Sequence, residues 1–111
     1  MTWHRTISMK ALEKVGGTSV KAGESVIYLA FLGGKLYAMN GVCSHAKCIL
    51  GHLDSANSRV KCQCHEAEFE LGTGKMVKPP VVAQNAPMEK LGLSTFPVRE
   101  ENGFIEVDLP Q

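Results

Sequence analysis

The sequence shows little excess of charge of either sign. Twelve Lys and Arg residues stand against eleven Asp and Glu residues, which leaves a formal net charge of +1 at pH 7. Proteins that bind nucleic acid or anionic membranes electrostatically carry a large basic field, so the balance predicts neither partner. Long hydrophobic runs are also missing, because no stretch approaches the roughly 18 apolar residues of a membrane-spanning helix.

The amino-terminal residues carry no targeting pattern. The first ten, MTWHRTISMK, contain neither the apolar core of a signal peptide nor a twin arginine. We therefore expect a soluble, cytoplasmic protein without a membrane anchor.

Patterns typical of enzymes are absent as well. The sequence contains no glycine-rich nucleotide loop and no arrangement of a nucleophile with a base, so it offers no candidate catalytic residues. Its 111 residues are fewer than the roughly 150 typical of one domain, so the length predicts a single domain. A chain of this size can bury a core but not a large substrate cavity in addition. We expect one monomeric domain over residues 1–111 that is not an enzyme.

What the sequence does contain is a series of short β patterns. Apolar runs on both sides of Gly33-Gly34 predict a hairpin with a primed turn. Asn102-Gly103 predicts a second turn, between two further strand-like segments. Only residues 9–15 resemble a short helix, and residues 78–91, with three prolines, predict a long ordered loop. Trp3 and Phe96 are expected in the core. Strands at this spacing predict an all-β sandwich or barrel, with the segments at 26–32, 35–39, 59–61, 68–71, 95–99 and 104–108.

The four cysteines fall into two tight groups, and each group contains a histidine. The first group is CSHAKC at residues 43–48, and the second is CQCH at residues 62–65. Each is expected on a loop between strands. Because no secretory signal is present, a metal site is a better interpretation than a disulfide framework.

The spacing of these groups leaves several metal centres open. If Cys43, His45, Cys62 and His65 are the ligands, each loop offers one thiolate and one imidazole. That set suits a [2Fe–2S] cluster with two Cys on one iron and two His on the other. A tetrahedral zinc with Cys₂His₂ or Cys₃His ligands uses the same residues, although the usual His-x3–5-His pair is absent. An all-Cys ferredoxin site would leave both histidines without a role.

These two segments resemble the loops of the Rieske proteins. CSHAKC is similar to the first loop of the family, and CQCHEAEFELGTG at residues 62–74 is similar to its second loop and the following strand. The chain looks closest to the soluble archaeal Rieske-type ferredoxins, the sulredoxin group. The resemblance implies a Rieske fold: an antiparallel β base with a small inserted cluster-binding subdomain, about residues 42–80.

The resemblance also implies roles for individual residues. Cys43 and Cys62 would hold the buried iron of one [2Fe–2S] cluster, and His45 and His65 the outer iron. The remaining pair, Cys48 and Cys64, matches the disulfide that ties the two loops together in respiratory Rieske proteins. The expected function is one-electron transfer to unidentified redox partner proteins. The alternatives are a ferredoxin component or small subunit of a multicomponent oxygenase or oxidoreductase, and a zinc-binding interaction module.

The second loop departs from the pattern of high-potential family members. Where they carry a serine and a tyrosine that donate hydrogen bonds to sulfur, this chain has Ala67 and Phe69. Without these donors, and with the negative charge of Glu66, the reduction potential should lie below the top of the Rieske range. Because imidazole ligands can lose protons, the potential is expected to fall as pH rises through the coupled titration of His45 and His65.

Overall fold

The computed structural model describes residues 2–42, 48–62, 64, 66–80, 82, 84–85 and 87–109. Within these residues the chain is mostly β, with one α-helix and one short 3₁₀ helix. In chain order the elements are β1 (Thr2–Ser8), α1 (Met9–Val15), β2 (Gly17–Ala22), β3 (Ser25–Leu32), β4 (Lys35–Asn40), β5 (Leu50–Asp54), β6 (Arg59–Cys62), β7 (Glu68–Glu70), β8 (Met76–Lys78), the 3₁₀ helix (Met88–Lys90), β9 (Val98–Glu101) and β10 (Phe104–Leu109).

The strands form three antiparallel sheets, which confirms the all-β prediction. The sheet orders are β1-β10-β9, β2-β3-β4 and β5-β6-β7-β8. The third sheet comprises consecutive strands, so it is local in sequence. It packs beside β2, where the Ser19 hydroxyl donates a 2.6 Å hydrogen bond to the carbonyl oxygen of Leu50.

The β3–β4 hairpin is buried on both faces. Tyr28, Ala30 and Met39 belong to a first core that includes the interior of the third sheet. The residues that alternate with them in the strands, among them Ile27 and Leu29, belong to a second core with α1 and β10. This double burial explains the uninterrupted apolar run in β3, because both side-chain directions need apolar residues.

The two predicted glycine turns have the expected backbone conformation. Gly33 and Gly34 have φ values of 60° and 78°, and Asn102 and Gly103 have φ values of 53° and 85°. Positive φ at both central residues is the requirement of a type I′ hairpin turn. The first turn therefore joins β3 to β4, and the second joins β9 to β10, as the sequence predicts.

The helix α1 has the predicted boundaries. It begins after Ser8, whose hydroxyl oxygen accepts a 3.2 Å hydrogen bond from the Ala11 N–H. It ends at Gly16, which has a φ of 83°. The serine satisfies a free N–H at the start, and the glycine supplies the positive φ at which the helix ends. No helix of the described residues is long and apolar enough to cross a membrane.

The prediction that Trp3 lies in the core is wrong. Its side chain lies on the outer face of the first sheet, 38% exposed, with the Arg99 guanidinium carbon 3.9 Å from the ring centroid. Trp3 is on β1 and Arg99 on β9, so the contact passes over the central strand β10. A cation placed over the electron-rich face of the indole is attracted to it, which lets the ring stay partly in solvent. Phe96 is partly buried against the second core, as predicted.

Candidate metal centre

Cys62 is the last residue of β6, and its side chain is fully buried in the first core. The strand pairs it with Leu50 of β5. Its N–H donates a 2.8 Å hydrogen bond to the carbonyl oxygen of Ala67, and its own carbonyl accepts a 3.0 Å bond from the N–H of Glu66. These bonds hold the backbone of Cys62 against that of Glu66 and Ala67. The backbone position from which the Cys62 side chain extends is therefore fixed.

The other cysteine loop is closed at its base in a similar way. Val42 and Ile49 form an antiparallel bridge across its ends, and the Leu50 N–H donates a 2.8 Å hydrogen bond to the carbonyl oxygen of Gly41. Gly41 packs tightly there, because a β-carbon would lie 2.9 Å from Cγ1 of Val26. Since Leu50 also pairs with Cys62, the bases of both loops lie next to each other.

A disulfide between Cys48 and Cys64 joins the two loops. The two Cα atoms are 6.4 Å apart, within the range that disulfides span. This is the pairing that the family resemblance implies. Cys48 is half-buried and Cys64 is exposed, so the bridge runs from the edge of the core to the surface.

The sulfur atoms of Cys48, Cys62 and Cys64 all lie within 4.8 Å of one another. Among the described residues, Cys62 is the one free cysteine of this group. It is also the one of the four predicted ligands that lies within the described residues. The other three, Cys43, His45 and His65, lie outside them.

Two of the described side chains next to the Cys62 loop, Ala67 and Phe69, cannot donate a hydrogen bond. Both are fully buried in the first core. Ile49 and Leu50 differ from each other, because Leu50 is buried in the same core while Ile49 is 53% exposed. Leu50 therefore excludes water from the base of the loops, and Ile49 leaves an apolar side chain at the surface beside them.

The charge of Glu66 has a basic neighbour. Nζ of Lys61 lies 3.7 Å from Oε1 of Glu66, and both side chains are substantially exposed. Further along the outer face of this sheet, Glu68 lies between Arg59 at 3.4 Å and Lys78 at 3.6 Å. The negative charge expected to lower the potential is therefore partly offset, and the missing donors at Ala67 and Phe69 become the stronger reason for a lower potential.

Two ionisable groups near the third sheet have shifted pKa values. Burial raises the pKa of Tyr28 to about 12, because a charged phenolate would lose its hydration in the first core. A hydrogen bond from the Asn57 amide lowers the pKa of Asp54, the last residue of β5. Neither group belongs to the sulfur site.

Sequence reasoning missed the packing support of Cys62. Tyr28 and Met39 come from the β3–β4 hairpin, far from the cysteines in sequence, and lie in the same core as Cys62. The available signal was the two-sided apolar character of β3, which implies a second packed layer against this hairpin. The alternation of Val60 and Cys62 in β6, both buried, is the local counterpart of that signal.

Together these observations define a small antiparallel β protein with a free, buried thiol beside a disulfide that joins two loops. The Rieske [2Fe–2S] domain matches residues 2–97 of the sequence, and the chain belongs to the Rieske [2Fe–2S] family, whose domain binds one [2Fe–2S] cluster. The described part of the site fits such a cluster, since Cys62 offers a free, buried thiol, the soft ligand that iron–sulfur clusters require.

Two curated relatives have ferredoxin character. Sulredoxin of Sulfurisphaera tokodaii is 56% identical over 109 residues, which cover 98% of this chain and 100% of the relative. The ferredoxin subunit of the 3-phenylpropionate/cinnamic acid dioxygenase of Shigella flexneri is 39% identical over 88 residues, covering 78% of this chain and 74% of the relative. The predicted function is confirmed at this level: the chain is a Rieske ferredoxin-type electron carrier rather than a catalyst.

A solved structure gives the same fold over the whole chain. The ferredoxin of carbazole 1,9a-dioxygenase from Nocardioides aromaticivorans IC177 superposes with a TM-score of 0.80 and 20% identity, covering 99% of this chain and 100% of that one. The predicted Rieske fold is thereby confirmed.

Proposed function

We propose that this chain carries one electron at a time on a [2Fe–2S] cluster whose ligands are Cys43, His45, Cys62 and His65. The observation that carries the proposal is Cys62: a free, fully buried thiol at the end of β6, beside a disulfide that leaves Cys48 and Cys64 without thiols to offer. The C-x-H and C-x2-H spacings supply the remaining three ligands from the same two loops. A bound Rieske cluster supplies one-electron redox chemistry.

The protein holds this site through a cluster-binding subdomain, for which we propose residues 42–80 within a single domain of residues 1–111. The third sheet supports these limits, because its four strands run from Leu50 to Lys78 and, within the described part of the chain, pair only with one another. The sheet packs through the first core onto the β3–β4 hairpin. Pro80 is also fully buried, which agrees with an ordered end to this segment.

The side chains around the site influence its reduction potential. The apolar first core excludes water below Cys62, and neither Ala67 nor Phe69 can donate a hydrogen bond to sulfur. Both features favour the oxidised, less negative state and lower the potential within the Rieske range. We propose in addition that proton loss from His45 and His65 links the potential to pH, so that the potential measured by voltammetry decreases as pH rises. A flat profile from neutral to alkaline pH would contradict this link.

The partner is proposed to be a redox protein. The ferredoxin subunit of a dioxygenase among the relatives, and the ferredoxin of a dioxygenase among the solved structures, support the more specific alternative that this chain serves a multicomponent oxygenase. Reduction of the oxidised protein by a ferredoxin reductase, followed by reoxidation on an added terminal oxygenase, would support that alternative. Reoxidation at the rate of a buffer control would exclude that oxygenase as the partner.

We further propose that the protein works as a cytoplasmic monomer. The monomer is supported by the outer face of the first sheet, where the exposed aromatic rings of Trp3 and Phe104 are covered by Arg99 and Arg5 at 3.9 Å and 4.9 Å. Light scattering after size-exclusion chromatography should give the 12.0 kDa mass of one chain, and cell fractionation should place the protein in the cytoplasmic fraction. A mass of two chains or recovery with membranes would contradict these points.

The deciding experiment is electron paramagnetic resonance of the dithionite-reduced protein, with a visible spectrum and metal analysis. We expect a rhombic signal with an average g below that of plant-type ferredoxins and two irons per chain. Cys62→Ser and His65→Gln should lose the signal. His52→Gln, which changes an exposed histidine of β5, is the matched control and should retain it. A colourless protein with stoichiometric zinc would instead favour the zinc-binding interaction module.

A further inference from the structure

The three sulfur atoms of the described site form a thiol beside a disulfide. Cys62 is free, and its sulfur lies within 4.8 Å of both sulfurs of the Cys48–Cys64 bond. Sulfur exchange needs the attacking and receiving atoms at roughly 3.5 Å. A change of about 1 Å, within reach of a side-chain rotation, therefore brings Cys62 into contact with the bond.

We propose that Cys62 is an internal nucleophile, which exchanges with the Cys48–Cys64 disulfide in any chain that holds no cluster. The exchange rests on the sulfur geometry alone. The protection of the disulfide in the cluster-loaded protein rests on the proposed function, because it requires Cys62 to be an iron ligand.

The reaction conserves electrons and needs no external oxidant. The thiolate of Cys62 attacks the sulfur of Cys48, a new Cys48–Cys62 bond forms, and the Cys48–Cys64 bond breaks. Cys64 leaves as a thiolate and takes up the proton that Cys62 released. One disulfide and one thiol are present before and after, so the step is an isomerisation of the chain.

The surroundings of the sulfurs favour attack on Cys48. Cys64 is exposed, so water stabilises the charge of its leaving thiolate, and a better leaving thiolate accelerates exchange. Attack on Cys64 would instead join Cys62 to a residue only two positions away, a short ring that strains the bond geometry. The hydrogen bonds that fix the loop from Cys62 to Ala67 keep the attacking sulfur close throughout.

The exchange has a consequence for cluster assembly. Its product carries an exposed thiol at Cys64 and no thiol at Cys62, so it lacks one proposed iron ligand. A cluster-free chain would therefore convert itself into a form that cannot take up a cluster. A dithiol reductant would reverse the change by reducing the new bond and returning the thiol of Cys62.

The test follows the free thiols of the full-length protein over time. The cluster is removed with a chelator under anaerobic, non-denaturing conditions. Samples taken at intervals are acidified to stop the exchange, unfolded and alkylated, and the labelled cysteines are mapped by mass spectrometry of peptides. Label at Cys62 should decline while label at Cys64 appears. In protein that holds its cluster until the samples are unfolded, Cys62 should be labelled and Cys64 should not. Cys62→Ser should lose the label at Cys64, whereas Cys43→Ser, which removes the remaining cysteine of the sequence, should retain it.

Three results would overturn the exchange. The first is label that stays on Cys62, the second is label that appears on Cys64 equally in Cys62→Ser, and the third is loss of the label at Cys64 in Cys43→Ser. The second and third would mean that Cys43 or an unfolded chain performs the reaction. Label at Cys64 in protein that keeps its full resonance signal would leave the exchange standing and contradict only the ligand role of Cys62.

Discussion

The backbones of Gly74 and Leu93 are packed directly against each other. The Leu93 N–H donates a 2.7 Å hydrogen bond to the carbonyl oxygen of Gly74, whose φ of 75° is in the left-handed region. A β-carbon on Gly74 would collide with the carbonyl oxygen of Leu93. Through this contact the proline-containing segment before β9 is attached to the turn between β7 and β8, and Leu93 enters the first core beside Cys62.

Gly74→Ala should therefore destabilise the protein strongly. The new methyl group forces the two backbones apart, and alanine is strained at a positive φ, so we expect a loss of about 3 kcal/mol in the free energy of unfolding. Urea denaturation of the cluster-loaded protein measures it. Gly72→Ala is the control, because a β-carbon there would lie 4.0 Å from its nearest neighbour, on Tyr37. Equal effects of the two substitutions would contradict this account of the contact.

The serine that this chain lacks near the cluster can be restored. Ala67→Ser adds a hydroxyl beside the Cys62 loop, and a hydrogen bond to sulfur favours the reduced state. We expect the potential to rise by on the order of 60 mV, the one-electron equivalent of a tenfold change. Protein-film voltammetry measures this shift. Ala38→Ser makes the same chemical change in the second core, at an equally buried position of β4, and should leave the potential unchanged. A potential that does not move in correctly folded Ala67→Ser would refute the argument from missing donors.

The hydroxyl of Tyr28 has no hydrogen-bond partner among the described residues. It lies against Gly17, where a β-carbon would collide with it. A buried hydroxyl without a partner loses its hydration with no compensation, so Tyr28→Phe should raise the free energy of unfolding by about 1 kcal/mol at neutral pH. Thermal and urea unfolding measure this gain. A loss of stability would show that the hydroxyl makes a stabilising hydrogen bond.

The same tyrosine predicts a pH dependence at the alkaline end. Its pKa rises from 10.0 to about 12 on folding, so the unfolded chain loses the phenolic proton first. The stability from this group is complete below pH 10 and falls between pH 10 and pH 12, by about 2 kcal/mol at most. The difference in stability between Tyr28→Phe and the parent protein should grow over that interval. A constant difference would contradict the raised pKa.

The outer face of the first sheet depends on Arg99. Its guanidinium donates hydrogen bonds of 3.0 and 2.8 Å to Oε1 of Glu106 while stacking on Trp3. Arg99→Ala should cost about 2 kcal/mol, because it leaves the buried carboxylate with the more distant Arg5 alone. Trp3 is the sole tryptophan, so its fluorescence should change in the same variant. Glu101→Gln alters an exposed neighbour 4.0 Å from Arg99 and should change stability by less than about 0.5 kcal/mol. A similar loss of stability in both variants would contradict the assignment of the effect to the stacking of Arg99 on Trp3 and to its hydrogen bonds with Glu106.

The strands that could be predicted were those with strong local signals. Gly33-Gly34 and Asn102-Gly103 set two hairpins, and the capped helix from Met9 to Val15 has the predicted limits. The strand β1 was missed because its sequence, TWHRTIS, is largely polar. Its pairing with β10 joins the two ends of the chain, and no local pattern encodes a contact of such separation.

At the site, the sequence predicted the chemistry better than the packing. The Cys48–Cys64 pairing followed from a family resemblance and not from spacing, since four cysteines allow three pairings. The burial of Cys62 was accessible from the alternation in β6. The presence of Tyr28 and Leu93 in the same core as Cys62 was not, because both come from segments distant in sequence and register is set only when the sheets pack.

The double burial of the β3–β4 hairpin limits how this protein can change during evolution or design. Successive residues of the hairpin serve different cores, so a single inserted or deleted residue would send every following side chain to the opposite core. A substitution, in contrast, affects one core at a time. New side chains at Ile27, Leu29 and Ala38 would alter the second core without facing the metal centre. The length of this hairpin is therefore more tightly constrained than its residue composition. Changes in composition allow the β base and the redox site to diverge independently.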